Sequence, residues 1–474
     1  LMVDNGGLFE SWEPYTPYRS LTVHYGFPAM AALLSWVTRM SSVQATLWVG
    51  QLVNGIAALT LYPLAVRLAD GKRWAGAGAV LTAGLLSPMP AYYVNWGRYA
   101  QLAGQAVLPV ALWLLWDGVE GTDEGIPWKA LLLAGGMLSG MALSYYRMPF
   151  YYVVFVLSWL VGWGVPHWEL TLRPWLKGVG RLALIAGIAL LLFLPWILRI
   201  AGGHLATAVA AGTTRTPPLE RVLADYRVWR DIDSYVPYPL LIVGIVTLGW
   251  SLARRRWVVA SIGLWILGMA SLVAAALINV PGANMMQNFA VLIALYIPFS
   301  LLTGWVVGQI AEITQRSRGI IRWGLGTVVL ALAFWGAARQ TGIVSPQHIM
   351  VTRPDTRAME WIRENTPSEA RFLVEGFRIY NGYSAVGADA GWWIPLLTQR
   401  ENTMPPQYAL LNETPEEPNY GQVVVGLVTH LETVSPATRD SVQLLCDRGV
   451  SHVYVGQGQG KVGANAVQLF SPEL

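Results

Sequence analysis

Long apolar segments recur along the first 340 residues of this 474-residue chain and then stop. Each segment approaches the roughly 20 residues that a helix needs to cross the hydrocarbon core of a bilayer. A composition that is 54% hydrophobic and 13% charged agrees with membrane insertion. We therefore predict a polytopic α-helical membrane protein with ten or eleven transmembrane helices. The segments are 27–40, which is short, 45–66, 75–93, 102–116, 129–145, 148–164, 179–201, 238–253, 257–278, 286–311 and 320–338.

Basic residues predict which face of the membrane each connection occupies. If the helices alternate in direction, five connections share one face, and four of the five are basic. The fifth, between Asp117 and Lys129, is acidic. Positively charged loops stay in the cytoplasm, so this face is predicted to be cytoplasmic. The basic residues are Arg67, Lys72, Arg73, Arg173, Lys177, Arg181, Arg254, Arg255, Arg256, Arg316, Arg318 and Arg322.

The opposite, outer face then receives a long loop, residues 202–237, and everything after residue 340. We predict a membrane domain over 1–340 and a soluble extracytoplasmic α/β domain over 341–474. In this tail, helix patterns in "DTRAMEWIRENTP" and "SPATRDSVQLLCDRG" each precede a strand pattern. Glycine-rich "GQGQGKVG" is predicted to be a turn between two strands, because Val462 follows Lys461 where a phosphate loop needs Ser or Thr.

Charge and cysteine content exclude several classes of protein. Residues 350–474 hold nine Lys/Arg and fourteen Asp/Glu, a net −5, which leaves 23 against 14 in the rest of the chain. An acidic tail does not suit nucleic-acid binding, and we predict no nucleic-acid partner. A single cysteine, Cys446, excludes an internal disulfide. The chain begins at Leu1, and we expect that the natural protein has a further N-terminal segment.

The junction "NWGRYAQLAGQ", residues 95–105, concentrates hydrogen-bonding side chains between two apolar segments. One interpretation is an interfacial anchor, with Trp96 and Tyr99 in the headgroup layer and Arg98 reaching for water. The other is a ligand pocket, because polar groups at membrane depth often mark functional sites. The candidate binding residues are Asn95, Arg98, Tyr99 and Gln101, with Gln105 one helical turn after Gln101.

A second arginine, Arg147, lies in "SYYRMPFYY" on the same predicted face, beside Tyr146. Two arginines suit a phosphate or pyrophosphate group, because the planar guanidinium donates two parallel hydrogen bonds to phosphate oxygens. His24, at the start of the first apolar segment, is a weak candidate for a general acid or base.

The outer loop holds Asp231 and Asp233 in an Asp-x-Asp pair. Carboxylate oxygens are the ligands that Mg²⁺ and Mn²⁺ prefer, and such a cation could bridge to a substrate phosphate. Alternating charges from Arg221 to Asp233 are also typical of a solvated surface helix. Both interpretations stay open.

The stretch "GADAGWWIPLLTQRENTMPP", residues 387–406, resembles the GT-C superfamily of polytopic membrane glycosyltransferases. Oligosaccharyltransferase catalytic subunits carry a Trp-Trp-Asp-Tyr-Gly motif, then Tyr-Trp-Ile and a later arginine. Here Asp389, Gly391, Trp393, Ile394 and Arg400 have matching spacing. The sequence departs from the motif where Gly387 and Ala388 replace the two tryptophans and Ala390 replaces the tyrosine, which disfavours a peptide acceptor.

The resemblance implies transfer of a sugar from a polyprenyl-phosphate-linked donor to an acceptor at the outer face of the cell membrane. It also implies that Asp389, Trp393 and Arg400 meet the acceptor, and that an acid in the first outer loop serves as base or metal ligand. We expect that acid before Leu1. The alternatives are a lipid or glycan transporter and a non-catalytic scaffold of the same fold.

Overall fold

The computed structural model describes residues 1–13, 15–19, 24–120, 126–164, 172–201, 216–280, 282–315, 319–379, 382, 384–405, 414–457 and 460–469. Part of the predicted outer loop, 202–215, lies outside these ranges, as do Arg316 and Arg318. The chain forms two compact units. One comprises Leu1–Val23, Ile200–Ala206 and Pro346–Leu474, and the other comprises His24–Arg199 and Thr207–Ser345.

The unit that contains His24–Arg199 is helical, and every predicted apolar segment contains at least one helix. Its helices are α1 (Gly26–Thr38), α2 (Ser42–Leu59), α3 (Leu61–Leu68), α4 (Arg73–Leu81), α5 (Tyr99–Glu120), α6 (Trp128–Ser144), α7 (Met148–Gly164), α8 (Leu172–Ile200), α9 (Leu219–Asp225), α10 (Ile232–Tyr235), α11 (Tyr238–Ala253), α12 (Trp257–Ser271), α13 (Asn288–Leu292), α14 (Tyr296–Gln315) and α15 (Gly319–Gln340).

Several of these helices are apolar and long enough to make the chain an integral membrane protein. Four stretches of the described chain can cross a bilayer by length and composition: Ser42–Leu68, Tyr99–Glu120, Trp175–Ile200 and Asn288–Thr314. A pair bent by 99°, Leu219–Tyr235 with Tyr238–Ala253, makes a fifth if it is counted as one span. The predicted count of ten or eleven is therefore not confirmed.

Short helices and breaks within apolar segments lower the count, and four apolar helices have only 10 to 17 residues. The predicted segment 75–93 is divided into α4 with a π-helical turn, Thr82–Leu86, and the start of a 3-10 helix, Ala91–Asn95, and Pro88 and Pro90 lie between them. Proline lacks the backbone N–H that a continuing helix needs. The predicted segment 257–278 likewise divides into α12 and a 3-10 turn, Ala274–Ile278. Hydropathy alone does not register such breaks.

Small residues let the membrane helices approach closely. A Cβ placed on Gly304 would lie 2.5 Å from the Ala75 carbonyl oxygen, and one on Gly308 would lie 2.9 Å from Ala75 Cβ. Helices in lipid associate through such close packing, since lipid tails are as apolar as the helix surfaces. The contact fixes α14 against α4 and so anchors the segment that leads into α14.

The other unit is a small α/β structure. Its parallel sheet has the order β5-β2-β7, and the pairs β1-β6 and β3-β4 are antiparallel. Its elements are β1 (Tyr18–Arg19), α16 (Arg353–Asn365), β2 (Arg371–Leu373), β3 (Gly376–Ile379), β4 (Ser384–Gly387), α17 (Ile394–Thr398), β5 (Glu401–Asn402), β6 (Thr414–Pro415), α18 (Tyr420–Thr433), α19 (Arg439–Asp447), β7 (His452–Val453), α20 (Lys461–Ala464) and α21 (Ala466–Leu469).

Both predicted helix-to-strand repeats of the tail are present, as α16 with β2 and α19 with β7. The predicted turn between two strands at the glycine-rich segment is wrong, because the one-turn helix α20 follows Gly460. Glu375 Oε2 accepts hydrogen bonds from the Val462 and Gly463 N–H groups at 2.8 and 3.2 Å. That carboxylate satisfies the first donors of the helix and favours the helical turn. Residues 458–459 lie outside the described chain.

Candidate functional site

The 95–105 junction links a 3-10 helix to α5. The 3-10 helix, Ala91–Asn95, follows the two prolines, and Gly97 then adopts a φ of +59°, a left-handed conformation that glycine allows without a Cβ clash. The Arg98 carbonyl oxygen accepts the N–H of Leu102 at 3.1 Å, so Arg98 caps the start of α5. This geometry places the Arg98 side chain at the head of the helix.

Asn95 and Tyr99 are engaged in contacts that hold the fold. Asn95 Nδ2 donates to the Ile343 carbonyl oxygen and its Oδ1 accepts the Ser345 N–H, both at 2.8 Å. The Tyr99 hydroxyl accepts a hydrogen bond from Gln51 Nε2 at 3.3 Å, and its ring lies directly against Gly50. These contacts favour structural roles for both predicted binding residues.

Gln101 and Gln105 point into the helical bundle. Gln101 Nε2 donates to the Ala290 carbonyl oxygen at 3.3 Å, and Gln105 is fully buried near Tyr93. Both amides share a face of α5, as their spacing predicts, but that face is internal. The structure therefore separates Gln101 from the solvent-accessible part of the junction.

Arg98 lies over an aromatic cluster that we define as Trp96, Tyr235 and Phe289. The guanidinium carbon is 5.0 Å from the Phe289 ring centroid, a cation–π contact. The Phe289 ring centroid is 5.3 Å from that of Trp96 and 5.8 Å from that of Tyr235. Tyr235 also interacts electrostatically with Arg98 and Asp231.

The Arg98 guanidinium makes no hydrogen bond and no ion pair with the residues that the structure describes, and the residue is only partly buried. Its N–H donors are therefore available to a ligand. A fixed aromatic ring beneath the guanidinium holds this planar group in place without using its N–H donors. Arg98 has the properties that an anion-binding residue requires.

Arg147 is only 7% exposed, and its guanidinium donates two hydrogen bonds to its neighbours. Its Nε donates to the Met285 carbonyl oxygen at 3.0 Å and its Nη1 donates to the Tyr145 hydroxyl at 2.7 Å. The guanidinium also lies 5.0 Å from the Tyr146 ring centroid. His24 packs edge-on against Tyr145 with ring centroids 5.0 Å apart. The structure thus brings His24, Tyr146 and Arg147 together in a buried cluster.

Asp231 and Asp233 do not belong to a larger set of metal ligands among the residues that the structure describes. Asp231 ends the 3-10 helix Tyr226–Asp231 and is exposed, and Asp233 lies in α10. The described residues contain no group of three His, Cys, Asp or Glu side chains arranged to hold a metal. Mg²⁺ often keeps several waters and binds a protein through one or two carboxylates together with substrate phosphates, so the cation site at Asp231 and Asp233 stays a prediction.

Two residues of this region were not predicted from the sequence. Phe289 was assigned to an apolar span, and Asp225 was one of several alternating charges. Asp225 Oδ2 accepts the Asn288 N–H at 2.7 Å, at the start of α13. The polar pair Gln287 and Asn288 within an apolar segment is the sequence signal that marks this helix start.

The three candidates of the tail lie in different environments. Asp389 is 4% exposed, and its Oδ1 accepts the Gly391 N–H at 2.9 Å. Arg400 donates from its side chain to the Arg363, Thr366 and Thr398 carbonyl oxygens at 2.8 to 3.2 Å. Trp393 is 39% exposed. The contacts of Asp389 and Arg400 favour structural roles, and Trp393 is the accessible member.

Burial and two neighbouring carboxylates affect the titration of Asp389. Burial raises the pKa of Asp389, the Gly391 N–H opposes the rise, and the negative charges of Glu375 and Asp355 add to it. Asp355 behaves in the opposite way. Burial raises the pKa of Asp355, but hydrogen bonds from Thr352 and Tyr454 outweigh burial and lower it.

Comparisons with known proteins find similarity in structure only. No protein-family model and no curated protein matches the sequence. An oligosaccharyltransferase of Archaeoglobus fulgidus, solved with a tethered acceptor peptide containing the NVT sequon, superposes with a TM-score of 0.55 at 11% identity, over 95% of this chain and 63% of that protein. The chain thus spans less than two thirds of that enzyme.

ArnT from Cupriavidus metallidurans is also similar. Its apo form gives a TM-score of 0.49 at 11% identity over 94% of this chain and 88% of ArnT. Its complex with undecaprenyl phosphate gives 0.46 at 12% identity over 84% and 78%. The similarity confirms the predicted resemblance at the level of the fold: this chain shares the fold of that oligosaccharyltransferase.

Proposed function

We propose that this protein is a membrane glycosyltransferase that transfers a sugar from a polyprenyl-phosphate-linked donor to an acceptor at the outer face of the membrane. The observation that carries the proposal is the Arg98 guanidinium, which is partly exposed, supported by Phe289 and free of hydrogen bonds and ion pairs to the described residues. Departure of a lipid phosphate develops negative charge on its oxygens. A fixed arginine beside those oxygens stabilises that charge.

A lipid-linked donor also needs a place for its hydrocarbon chain. A groove of about 800 Å³ lies in the same unit, between α2 with α3 on one side and α4 with the π-helical turn on the other. Its lining is almost wholly apolar, and Pro90 and Ala91 form part of it. The 3-10 helix from Ala91 to Asn95 leads from these residues to the Arg98 junction, over roughly 10 Å at 2 Å per residue. The phosphate and the lipid chain could therefore be bound by one continuous segment.

The unit that contains Pro346–Leu474 is proposed to be extracytoplasmic and to contact the acceptor through Trp393. Aromatic faces bind sugar rings. The Trp393 indole is accessible, whereas Asp389 and Arg400 are engaged in hydrogen bonds to the backbone. The oligosaccharyltransferase of the same fold was captured with a peptide acceptor. Because Gly387 and Ala388 replace the leading tryptophans of the motif, a non-peptide acceptor is proposed here.

Replacement of Arg98 by alanine tests the proposal. We expect Arg98→Ala to lower transfer from a polyprenyl-phosphate-linked sugar by about a hundredfold in proteoliposomes, since one donor to a developing oxyanion contributes on this scale. Arg98→Lys should recover part of the loss, because lysine keeps the charge but not the planar fork. Transfer is measured with a radiolabelled donor and a panel of lipid and glycan acceptors.

Arg227→Ala is the matched control, because Arg227 is an exposed arginine of the same unit in the helix that ends at Asp231. It should transfer sugar at the wild-type rate. Equal rates for Arg98→Ala and wild type would exclude the proposed role of Arg98. Movement of the intact lipid-linked sugar across the bilayer without transfer would favour the transporter alternative.

A further inference from the structure

The segment Met285–Ala290 contacts both Arg147 and Arg98. Arg147 Nε donates to the Met285 carbonyl oxygen, and Gln101 Nε2 donates to the Ala290 carbonyl oxygen. Between these two contacts, Asp225 Oδ2 accepts the Asn288 N–H at 2.7 Å. Side chains from three separate parts of the chain therefore hold six consecutive residues.

Phe289 is the residue of this segment that reaches Arg98. Its ring lies beneath the guanidinium and touches Trp96 and Tyr235 edge-on. The position of the ring depends on the backbone at Asn288, the preceding residue. Asn288 is fully buried, so its N–H would lose much free energy without an acceptor.

We propose that Asp225 is a positioning residue for the anion site: it fixes the Asn288 backbone and thereby holds the Phe289 ring beneath Arg98. This inference rests on the proposed function, because it assigns Arg98 to the donor phosphate. Asp225 itself touches no ligand. Its carboxylate accepts an N–H at the first turn of α13, where a negative charge also interacts favourably with the helix end.

The geometry assigns the effect to Arg98 and not to the fold in general. Asp225 is half-buried and is the last residue of α9. It contacts Asn288, the first residue of the five-residue helix α13, and the next residue, Phe289, carries the ring beneath Arg98. A loosened α13 lets the Phe289 ring move away from the guanidinium. Arg98 then samples more rotamers, and donor binding weakens because that freedom is lost on binding.

Kinetics of Asp225 variants in the full-length chain test the inference. We expect Asp225→Ala to raise the KM for the lipid-linked donor by about fivefold and to lower kcat as well, since Arg98 both binds the donor phosphate and stabilises its developing charge. Asp225→Asn should restore most of the wild-type KM, because its Oδ1 still accepts the Asn288 N–H. Glu220→Gln is the matched control, an exposed carboxylate in the same short helix.

A double-mutant cycle with Arg98→Ala separates positioning from a purely structural role. If Asp225 acts through Arg98, Asp225→Ala adds nothing to the KM of the Arg98→Ala variant. The inference is overturned if Asp225→Ala raises the KM of the Arg98→Ala variant by the same factor as it raises the KM of the wild type. It is also overturned if the KM of Asp225→Ala equals that of the wild type.

Failure of the proposed function can be distinguished from failure of the inference about Asp225. If the natural protein, with the segment expected before Leu1, transfers no sugar, that function fails, and the same cycle is measured as the Kd for polyprenyl phosphate. Binding that is lost in Arg98→Ala and weakened about fivefold in Asp225→Ala would still support the inference. Absence of binding by the wild-type chain overturns both proposals.

Discussion

Arg98 and Arg147 occupy the same position relative to a helix and have opposite surroundings. Each directly precedes the first residue of an apolar helix, α5 or α7, and each lies beside a tyrosine in the sequence. Arg147 donates to Tyr145 and Met285 and is buried, whereas Arg98 is partly exposed over Phe289. Partners decide whether a membrane arginine holds the fold or is available to a ligand.

The sequence could not distinguish these two cases. An arginine next to aromatic residues at a helix end has the same local pattern whether its partners are protein or ligand. The partners of Arg147 include a carbonyl group 138 residues away in the chain. Only the folded arrangement of α7 and the 285–290 segment shows that its donors are used.

The comparison predicts a large loss of stability when Arg147 is replaced and almost none when Arg98 is replaced. We expect Arg147→Ala to destabilise the folded membrane unit by about 3 kcal/mol, since it removes hydrogen bonds from a charged group and leaves the Met285 carbonyl oxygen buried without its donor. Arg98→Ala should unfold at nearly the wild-type temperature, because no hydrogen bond of its side chain to the described residues is lost. Thermal unfolding of both variants in one detergent measures the difference.

A loss of stability in Arg98→Ala as large as that in Arg147→Ala would break the distinction between the two sites. Arg227→Ala serves as a further reference for the cost of removing an exposed arginine. An Arg147→Ala variant as stable as wild type would mean that Arg147 is not the structural member of the pair.

The tail repeats the contrast between engaged and accessible side chains. Arg400 joins the end of α16 to the end of α17 through three backbone carbonyl oxygens, and Trp393 is partly exposed nearby in the sequence. We expect Arg400→Ala to lower the stability of the tail by about 1 to 2 kcal/mol. Trp393→Ala should leave that stability nearly unchanged and raise the KM for the acceptor.

Hydrogen exchange of the α16 and β2 amides in the full-length chain measures the first effect, and transfer kinetics at saturating donor measure the second. Arg363→Ala is a useful control, because Arg400 contacts only the Arg363 backbone. Unchanged exchange in Arg400→Ala would contradict its structural role. An unchanged acceptor KM in Trp393→Ala would remove Trp393 from the proposed acceptor site.

The sequence predicted the membrane class, apolar segments that each contain a helix and the helix-to-strand pairs of the tail, because hydrophobic periodicity is local information. It did not predict where apolar segments break, as at the π-helical turn before Pro88, or the helix α20 that Glu375 caps. Those features depend on contacts between residues far apart in the chain. The same reason explains why the sequence indicated Arg98 as a binding residue but not Phe289, whose ring lies beneath it.

The smallest predicted effect concerns two buried acids of the tail whose pKa values shift in opposite directions. Because the pKa of Asp389 is raised, the folded state holds this proton more tightly than the unfolded state does. The resulting stability is present below the unfolded pKa and is lost as the pH rises through the folded pKa. Asp389→Asn cannot titrate and still accepts the Gly391 N–H through Oδ1.

We therefore expect Asp389→Asn to stabilise the tail slightly at neutral pH, with the gain disappearing toward about pH 4. Asp355→Asn is the matched control with the opposite sign. The pKa of Asp355 is lowered, so its contribution is present at neutral pH and is lost as the pH falls through its folded pKa. Asp355→Asn should be less stable than wild type at neutral pH, and that deficit should shrink on acidification. Exchange rates of the β4 amides at the two pH values measure both variants, and parallel pH profiles would show that Asp389 is not the group whose burial costs stability.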